Sequence, residues 1–403
     1  MADRPVEELD WKTPLEAAHK PSLDQIAKTG ICGILDPIAP GIPPGSDTAT
    51  LSLLGYDALM VYTGRGALEA LGSGVSVLPG DVAFRCNFAT VDENMVVHDR
   101  RAGRIVSEDA VKLAESLQRV KLEKSLKAKY LFRNTIQHRN VLLLRGPKLS
   151  TSVSDTDPGK TTEKVAESRP LENSSEAELT AQILNTLSRE FHKILKNHPV
   201  NRNRAKRNLL QANAVLCRGA GIVPHIRPLS KIYGITAACI GATPLVRGVC
   251  ISAGMRIVDV KGATGTPKTD YTAKAKAAVQ ALKSNDFVLL HVKATDVASH
   301  DGNARLKVEA IEKIDEMLGY VLEKCDRDTT YIAVTADHTT SLVTGKHEGD
   351  PVPIAITGPQ VRRDSVEEYG ERTCAHGGLN RIRGADLMPT LMNLLGKTRI
   401  FGA

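Results

Sequence analysis

The chain has 403 residues, of which 42% are apolar and 25% charged, a composition typical of a globular protein large enough for two domains. Its apolar runs are all shorter than the ~20 residues that cross a bilayer, and its seven scattered cysteines form no Cys-x-x-Cys pair. We therefore expect a cytoplasmic protein with reduced thiols and no membrane segment, and the low aromatic content of 4% argues against nucleic-acid binding despite a net charge of +7.

Short apolar runs separated by turn residues fill the first part of the chain. Residues 31–35 predict a strand, and the Gly/Pro-rich run 41–45 predicts an irregular loop. Residues 47–54 predict a helix that Ser46 or Asp47 could cap. The beginning of a helix attracts anions through its free N–H groups, so this loop is a candidate phosphate site.

The middle of the chain has a different pattern. Residues 82–90 and 141–145 predict strands, 107–120 and 175–195 predict helices, and the polar run 149–175 predicts a surface loop. We interpret 81–260 as a domain inserted into a core made of 1–80 and 261–403. The reason is that Ser46 precedes this segment, whereas the metal-ligand candidates follow it.

Helices and apolar strands alternate towards the C-terminus. Helices are predicted at 271–284 and 305–324, and strands at 286–293 and 331–335. Short apolar strands between helices indicate an α/β fold with a mostly parallel sheet that is buried on both faces. Ligands of such sheets bind beyond the carboxyl ends of the strands.

Two Asp/His clusters follow these strands. Asp296 and His300 are four residues apart and could reach one ion from a tight turn; Asp337 and His338 are adjacent, and His347 comes nine residues later. On an extended backbone Asp337 and His338 would point to opposite sides. Each pair alone is a weak signal, but together they predict sites for divalent cations such as Zn²⁺ or Mn²⁺.

Ser46 is the candidate nucleophile. A serine in such a loop is usually a helix cap, but a nearby dication lowers the pKa of a bound hydroxyl and makes it an alkoxide-like nucleophile. A serine beside two metal ions indicates phosphoryl transfer.

Three arginine-rich segments could bind an anionic substrate, because guanidinium groups match phosphate and carboxylate oxygens. They are 99–104, 218–221 and 381–383. Each is also compatible with an ordinary solvated surface.

Several motifs together resemble one family over nearly the whole chain. They are Gly45-Ser46-Asp47-Thr48-Ala49, 54–57, 64–72, 88–90, 99–105, 295–300, Asp337-His338, 349–353 and the terminal Phe401-Gly402-Ala403. This set is similar to the archaeal-type cofactor-independent phosphoglycerate mutases, a branch of the alkaline phosphatase superfamily.

The resemblance implies an alkaline-phosphatase-like core with a mostly parallel sheet flanked by helices, plus the inserted α+β domain. It also implies an isomerase of glycolysis and gluconeogenesis that interconverts 3-phosphoglycerate and 2-phosphoglycerate through a phosphoserine at Ser46.

The resemblance also implies the ligands of two divalent ions, with Mn²⁺ the first choice and Co²⁺, Zn²⁺ or Mg²⁺ as alternatives. One ion would be held by Asp296, His300 and His347, and the other by Asp337, His338 and Ser46. In the inserted domain Arg100, Arg104 and Arg218 would clamp the glycerate, and Lys268 would steady the transferred charge.

One departure from the family concerns the first residues. The family opens with an apolar strand ending in Asp-Gly, shortly before Asp-Arg-Pro, whereas this chain begins Met1-Ala2-Asp3-Arg4-Pro5. The resemblance therefore implies that a central strand and a metal-ligand Asp are absent. Losing that strand should cost several kcal/mol, since a buried aliphatic side chain contributes about 1.5–3 kcal/mol. Either the true start lies upstream, or this is a shortened form with impaired catalysis.

Three functions remain open from the sequence. The chain could be an active mutase, a metal-dependent phosphohydrolase in which water takes the phosphoryl group from Ser46, or a non-catalytic protein that binds the substrate.

Overall fold

The computed structural model describes residues 1–400 and 402, so Phe401 and Ala403 of the terminal motif lie outside the described residues. The chain forms two compact units, one of Met1–Tyr62 with His225–Ala403 and the other of Thr63–Pro224. The second unit begins and ends earlier in the chain than the segment 81–260 that the sequence suggested. The strand Ala237–Ile240, which that segment included, pairs with Phe287–Leu290 of the first unit.

The strands of the described residues are, in chain order, β1 Ile31–Asp36, β2 Val82–Val91, β3 Val97–Asp99, β4 Lys129–Ile136, β5 Arg139–Arg145, β6 Ala214–Gly221, β7 Ala237–Ile240, β8 Arg256–Ile257, β9 Phe287–Leu290, β10 Ile332–Val334, β11 Thr339–Thr340, β12 His347–Glu348, β13 Val352–Thr357 and β14 Asn380–Arg383.

The α-helices are α1 Pro14–Ala17, α2 Pro21–Thr29, α3 Ser46–Leu53, α4 Ala58–Val61, α5 Arg65–Gly72, α6 Ser107–Leu117, α7 Ser175–Lys196, α8 Pro199–Lys206, α9 Leu229–Ile232, α10 Pro244–Ser252, α11 Tyr271–Leu282, α12 Ala294–His300, α13 Ala304–Lys324, α14 Glu371–Cys374 and α15 Gly384–Leu394. Among the described residues no helix is both long and apolar enough to span a bilayer.

The mixed α/β architecture that the sequence predicted is confirmed. The first unit holds a four-stranded sheet in the order β10-β13-β1-β14 and a three-stranded sheet in the order β8-β7-β9. In the described part of these sheets β13 runs antiparallel to both its neighbours, whereas β14 pairs with β1, and β8 and β9 pair with β7, in parallel. Helices α2 and α13 pack on the four-stranded sheet through a core around Leu23, Ile26 and Ile311.

A cavity of about 550 Å³ separates the two sheets of the first unit, lined by residues of both β9 and β10. Within the described residues β9 pairs on one side with β7, β10 pairs on one side with β13, and neither pairs across the cavity. The prediction that these strands are buried on both faces is wrong: β7 is fully buried, but every residue of β9 and β10 is only half-buried. Two apolar strand edges therefore face an open space.

The N-terminus lies at the wall of this cavity. Met1 and Ala2 line it, and burial lowers the pKa of the Met1 α-amine to about 5. The next residue, Asp3, is held by a buried ion pair, with Lys307 Nζ 2.7 Å from Asp3 Oδ2. Breaking such a pair leaves an uncompensated buried charge, so the position of the N-terminus is strongly specified.

The second unit contains an antiparallel sheet in the order β3-β2-β5-β4, with β6 also paired to β2. Helices α6 and α7 cover it over a core that includes Phe88, Phe132 and Phe191, whose rings meet at centroid distances of 5.9 and 5.2 Å. This α+β arrangement agrees with the helices and strands predicted for the middle of the chain.

Helix and strand positions agree with the sequence predictions, and most ends differ by a few residues. The largest difference is at 286–293, where β9 ends at Leu290 and the chain enters α12 at Ala294. The predicted loop 149–175 contains isolated bridges but no helix or strand before α7.

The gap between the sheets allows a test of whether a further strand fits there. The carboxyl ends of β9 and β10 lead to the same cluster of histidines and carboxylates, so the two strands run parallel. A third strand parallel to both would end beside Met1. Extending the chain upstream of Met1 with about four aliphatic residues, the length of β9, should raise the free energy of unfolding by several kcal/mol.

Thermal unfolding and amide hydrogen exchange of β9 and β10 would measure this effect. A matched extension of Ser and Gly residues is the control, because it adds length without apolar burial. Equal unfolding temperatures and equal protection in the two extended chains would show that the gap does not accept a strand.

Candidate functional site

Ser46 lies at the beginning of α3, within the first unit. Its neighbour Gly45 is the N-cap, and the Gly45 N–H donates to Thr48 Oγ1 at 3.0 Å. The prediction that Ser46 or Asp47 caps the helix is therefore wrong, since Ser46 is the first helical residue. This leaves the Ser46 hydroxyl available to the site, where Oγ lies 3.0 Å from His338 Nε2.

Asp296 and His300 lie on one face of α12, not in a tight turn, because a helix brings residues four apart together. His300 Nε2 is 3.4 Å from Asp296 Oδ2, and His347 Nε2 is 3.3 Å from Asp296 Oδ1. Ligand atoms of these three residues all lie within 4.8 Å of one another. They form the group that the resemblance assigned to the first ion.

Asp337 and His338 approach the same point, which corrects the expectation that they point apart. The chain bends at Asp337 after leaving β10, so the backbone there is not extended. Asp337 Oδ2 is 3.2 Å from His338 Nε2. His347 also differs from expectation, because it lies in the two-residue strand β12, which pairs with β11, and does not follow a strand of the main sheets.

The three histidine rings are oriented in the same way, each through a contact from Nδ1 to an oxygen. The partners are the Gly345 carbonyl for His300 (2.7 Å), the Pro44 carbonyl for His347 (2.7 Å) and Thr340 Oγ1 for His338 (2.9 Å). A carbonyl only accepts, and Thr340 uses its own hydrogen on Asp296. Nδ1 therefore carries the proton in all three rings, and Nε2 presents a lone pair to the site.

This orientation fits divalent cations. Lone pairs on Nε2 face carboxylate oxygens, an arrangement that is repulsive until a cation lies between them. Asp337 Oδ2 is also buried and receives no hydrogen bond within the described residues. Imidazole and carboxylate ligands together suit Mn²⁺, Co²⁺ and Zn²⁺.

Charges in the site favour the ligand forms of these side chains. Burial raises the pKa of the Asp337 carboxyl, but Lys293 and, when its ring is protonated, His338 outweigh burial and hold that pKa well below its usual range. The pKa of Asp296 is lowered in the same way, against burial, by Lys293 and by the rings of His347 and His338 when they are protonated. Burial lowers the pKa of His338, although Asp337 opposes it.

Sequence reasoning missed Lys293, which is the N-cap residue of α12. Its Nζ donates to Ser46 Oγ at 2.7 Å and lies 2.9 Å from Asp296 Oδ2. The available signal was a lysine at the end of an apolar strand, three residues before a candidate ligand. Thr340 was also missed, and it joins His338 to Asp296.

The second unit brings two of the predicted arginines together. Arg100 forms two hydrogen bonds to Asp157, at 2.9 and 2.7 Å, and Arg218 Nε lies 3.8 Å from the same carboxylate. Burial lowers the pKa of Arg218, with Arg65 and Arg100 adding to the effect and Asp157 opposing it. Sequence reasoning did not single out Arg65.

Buried polar atoms in the same unit have no hydrogen-bond partner within the described residues. They are Ser73 Oγ, Arg85 Nε, Asn87 Oδ1 and His138 Nδ1. Burial lowers the pKa of Arg85 to about 10, and Arg139, Arg218 and Arg65 contribute. The second unit thus contains a cluster of arginines, called the cationic cluster below, made of Arg65, Arg85, Arg100, Arg139 and Arg218. Beside it lie buried polar atoms that have no hydrogen-bond partner within the described residues.

The other predicted site residues lie elsewhere. Arg104 is exposed at the end of the turn that follows β3. Lys268 is exposed in a shallow surface depression with Lys313 and Tyr320. In the third basic segment Arg381 makes two hydrogen bonds to the buried Asp36, so this arginine has a structural partner.

Comparisons with known proteins agree with this geometry. A family model described as 2,3-bisphosphoglycerate-independent phosphoglycerate mutase matches residues 27–201. Curated relatives that carry this name include one from Methanocaldococcus jannaschii, 49% identical over all of this chain and 97% of the relative, and one from Methanothermobacter thermautotrophicus, 47% identical over all of this chain and 98% of the relative.

Solved structures show the same likeness. A protein of Pyrococcus horikoshii is 37% identical with a TM-score of 0.87, covering all of this chain and 97% of that one. The cofactor-independent phosphoglycerate mutase of Thermoplasma acidophilum is 35% identical with a TM-score of 0.68, covering 98% of this chain and 96% of that one.

Fold and site together define an α/β protein with a serine beside a cluster of Asp and His side chains that could hold metal ions. By its full-length similarity the chain belongs to the 2,3-bisphosphoglycerate-independent phosphoglycerate mutase family.

Removing one metal ligand should weaken cation binding. We expect His347→Ala to lower the affinity for Mn²⁺ by more than about tenfold, because even changes next to a ligand cost 10–100-fold. Binding should also weaken as the pH falls, since protons compete with the cation for the imidazole nitrogens. Calorimetric titration of the metal-free protein measures both effects.

The exposed His19 provides the matched control. His19→Ala should bind Mn²⁺ like the unmodified protein. Equal affinities for His347→Ala and His19→Ala would contradict the assignment of His347 as a ligand.

Proposed function

We propose that this protein interconverts 3-phosphoglycerate and 2-phosphoglycerate without 2,3-bisphosphoglycerate, and that the phosphoryl group passes through a phosphoserine at Ser46. The observation that carries the proposal is the position of Ser46. Its Oγ is buried at the beginning of α3, 3.0 Å from the hydrogen-free Nε2 of His338, beside oriented metal-ligating groups.

Two divalent ions complete this site in the proposal. Asp296, His300 and His347 would hold one, and Asp337, His338 and Ser46 the other, with Mn²⁺ as the first choice. When bound, such ions supply Lewis-acid stabilisation of phosphoryl oxygens and lower the pKa of a serine hydroxyl.

The chain's own residues orient the reacting groups. The hydrogen bonds from Nδ1 of His300, His338 and His347 fix the three rings, so little reorganisation is needed when a cation or substrate binds. The eight-residue helix α3 begins at the nucleophile, and its free N–H groups favour the dianion of a phosphoserine.

The cationic cluster of the second unit is proposed to bind the glycerate. Arg100 and Arg218 share the Asp157 carboxylate, which holds their guanidinium groups in place for a carboxylate or hydroxyl of the substrate. Unpartnered Arg85 Nε and Asn87 Oδ1 offer further hydrogen bonds. Holding glycerate during its reorientation is what separates a mutase from a phosphohydrolase. Arg104 and Lys268 remain predictions from the resemblance.

Replacing the nucleophile should abolish the reaction without unfolding the protein. We expect Ser46→Ala to lower the rate of 2-phosphoglycerate formation by more than about 10³-fold, because removing a catalytic serine removes the covalent route. The assay follows 2-phosphoglycerate and inorganic phosphate together, on Mn²⁺-loaded protein with 3-phosphoglycerate. Circular dichroism checks the fold.

Ser52→Ala, a buried serine of the same helix, is the matched control and should retain activity. Turnover of Ser46→Ala near that of Ser52→Ala would exclude the phosphoserine route. Release of inorganic phosphate in place of 2-phosphoglycerate by the unmodified protein would identify a phosphohydrolase.

Removing a guanidinium from the second unit should weaken substrate binding. We expect Arg218→Met to raise KM for 3-phosphoglycerate by about 10–100-fold, since a hydrogen bond to a charged group contributes about 1.5–3 kcal/mol. Arg202→Met replaces an exposed arginine of the same unit and should leave KM unchanged. Similar KM values for the two variants would remove Arg218 from the substrate site.

A further inference from the structure

Among the described residues, Lys293 makes the shortest hydrogen bond to the oxygen of the candidate nucleophile, Ser46 Oγ. Its Nζ donates to Ser46 Oγ at 2.7 Å, and its side chain is 16% exposed. The residue was not among the predicted site residues, and the metal-ligand cluster does not include it.

Two features of the chain fix this position. Lys293 is the N-cap residue of α12, so its backbone is set by the same helix that carries Asp296. Asp296 Oδ2 then accepts from Nζ at 2.9 Å across one helical turn. The ammonium is therefore held between a buried carboxylate and the serine oxygen.

The donor and the acceptor can be assigned for both hydrogen bonds of Ser46 Oγ. Lys293 has only donors, so Ser46 Oγ accepts from it, and the Ser46 O–H is left to donate to the hydrogen-free Nε2 of His338. The lone pair of Oγ thus faces a positive charge. An oxyanion or a phosphate ester formed at Oγ would lie beside the same Lys293 ammonium.

We propose that Lys293 is a catalytic residue that stabilises negative charge on Ser46 Oγ and on the phosphoryl group after its transfer. The inference rests on the proposed phosphoryl transfer through Ser46. In that step the P–Oγ bond forms and the bond from phosphorus to the glycerate oxygen breaks. The electron pair of the broken bond goes to the glycerate oxygen, which takes up a proton to replace the one that Ser46 loses, while Lys293 stays protonated throughout.

A purely structural role makes a different prediction. If Lys293 served only to hold Asp296 in place, removing it would loosen a metal ligand and lower the affinity for Mn²⁺. If Lys293 stabilises the phosphoryl group, its removal eliminates a positive charge that repels the nearby cations. Mn²⁺ should then bind at least as tightly. Phosphate should bind less well.

The test compares Lys293→Met, Lys293→Arg and the control Lys346→Met, which replaces an exposed lysine of the nearby β11–β12 turn. For each protein we would measure Mn²⁺ affinity by calorimetry, the affinity of the Mn²⁺-loaded protein for inorganic phosphate, and kcat and KM for 3-phosphoglycerate. We expect Lys293→Met to lower kcat by about 10²–10³-fold, as for the loss of one oxyanion donor. Phosphate affinity should fall by about tenfold, with Mn²⁺ affinity undiminished. Lys293→Arg should recover part of both losses.

Unchanged kcat and phosphate affinity in Lys293→Met would overturn the proposal. A loss of activity that follows a loss of Mn²⁺ and disappears in excess Mn²⁺ would also overturn it, in favour of the structural role. If the unmodified protein forms no 2-phosphoglycerate, the proposed function fails. The phosphate titration still decides whether Lys293 contacts a phosphoryl group.

Discussion

The candidate site depends on one buried carboxylate, that of Asp296. Its two oxygens lie within 4 Å of Nζ of Lys293 and Nε2 of three histidines, and they also accept a hydrogen bond from Thr340. These partners come from α12, from the bend after β10 and from the β11–β12 hairpin. Since Lys293 and His338 also contact Ser46, the nucleophile is connected to Asp296 through both of them. Segments that are distant in the chain therefore contact one carboxylate. A change in its charge would alter the positions of Lys293 and His338 and, through them, the hydrogen bonds of Ser46 Oγ.

The open edges of β9 and β10 affect the same site. Lys293 follows the end of β9 by three residues and Asp337 follows the end of β10 by three, so the backbones of these strands determine the positions of both side chains. A strand that pairs on only one side loses hydrogen bonds and apolar burial that would otherwise hold it in place. Stability of the sheet and geometry of the candidate metal ligands are therefore coupled in this protein.

The sequence predicted the type and order of most helices and strands, because apolar periodicity reports which face of an element is buried. It also singled out, by residue type, the Asp and His residues that lie together in the candidate site. It could not predict that Asp337 and His338 approach one point, because a single bend after β10 decides this. Lys293 was missed for a related reason: a lysine after a strand is usually solvated, and only the fold places its ammonium against Ser46. Likewise, the sequence did not show that β9 and β10 each pair on one side only. An apolar residue that packs against a neighbouring strand and one that lines a cavity give the same sequence pattern.

Charge determines the order in which ligands can enter this site. With the histidines neutral, the carboxylates of Asp296 and Asp337 and the ammonium of Lys293 sum to one net negative charge. Such a site repels the dianion of a phosphate ester, whatever the geometry around Ser46. Divalent cations reverse the sign of the field, and the Nε2 lone pairs are already directed to receive them. In the proposed mechanism cation binding would therefore precede binding of the phosphoryl group, and the orientation of the histidines by Pro44, Gly345 and Thr340 would make this order possible.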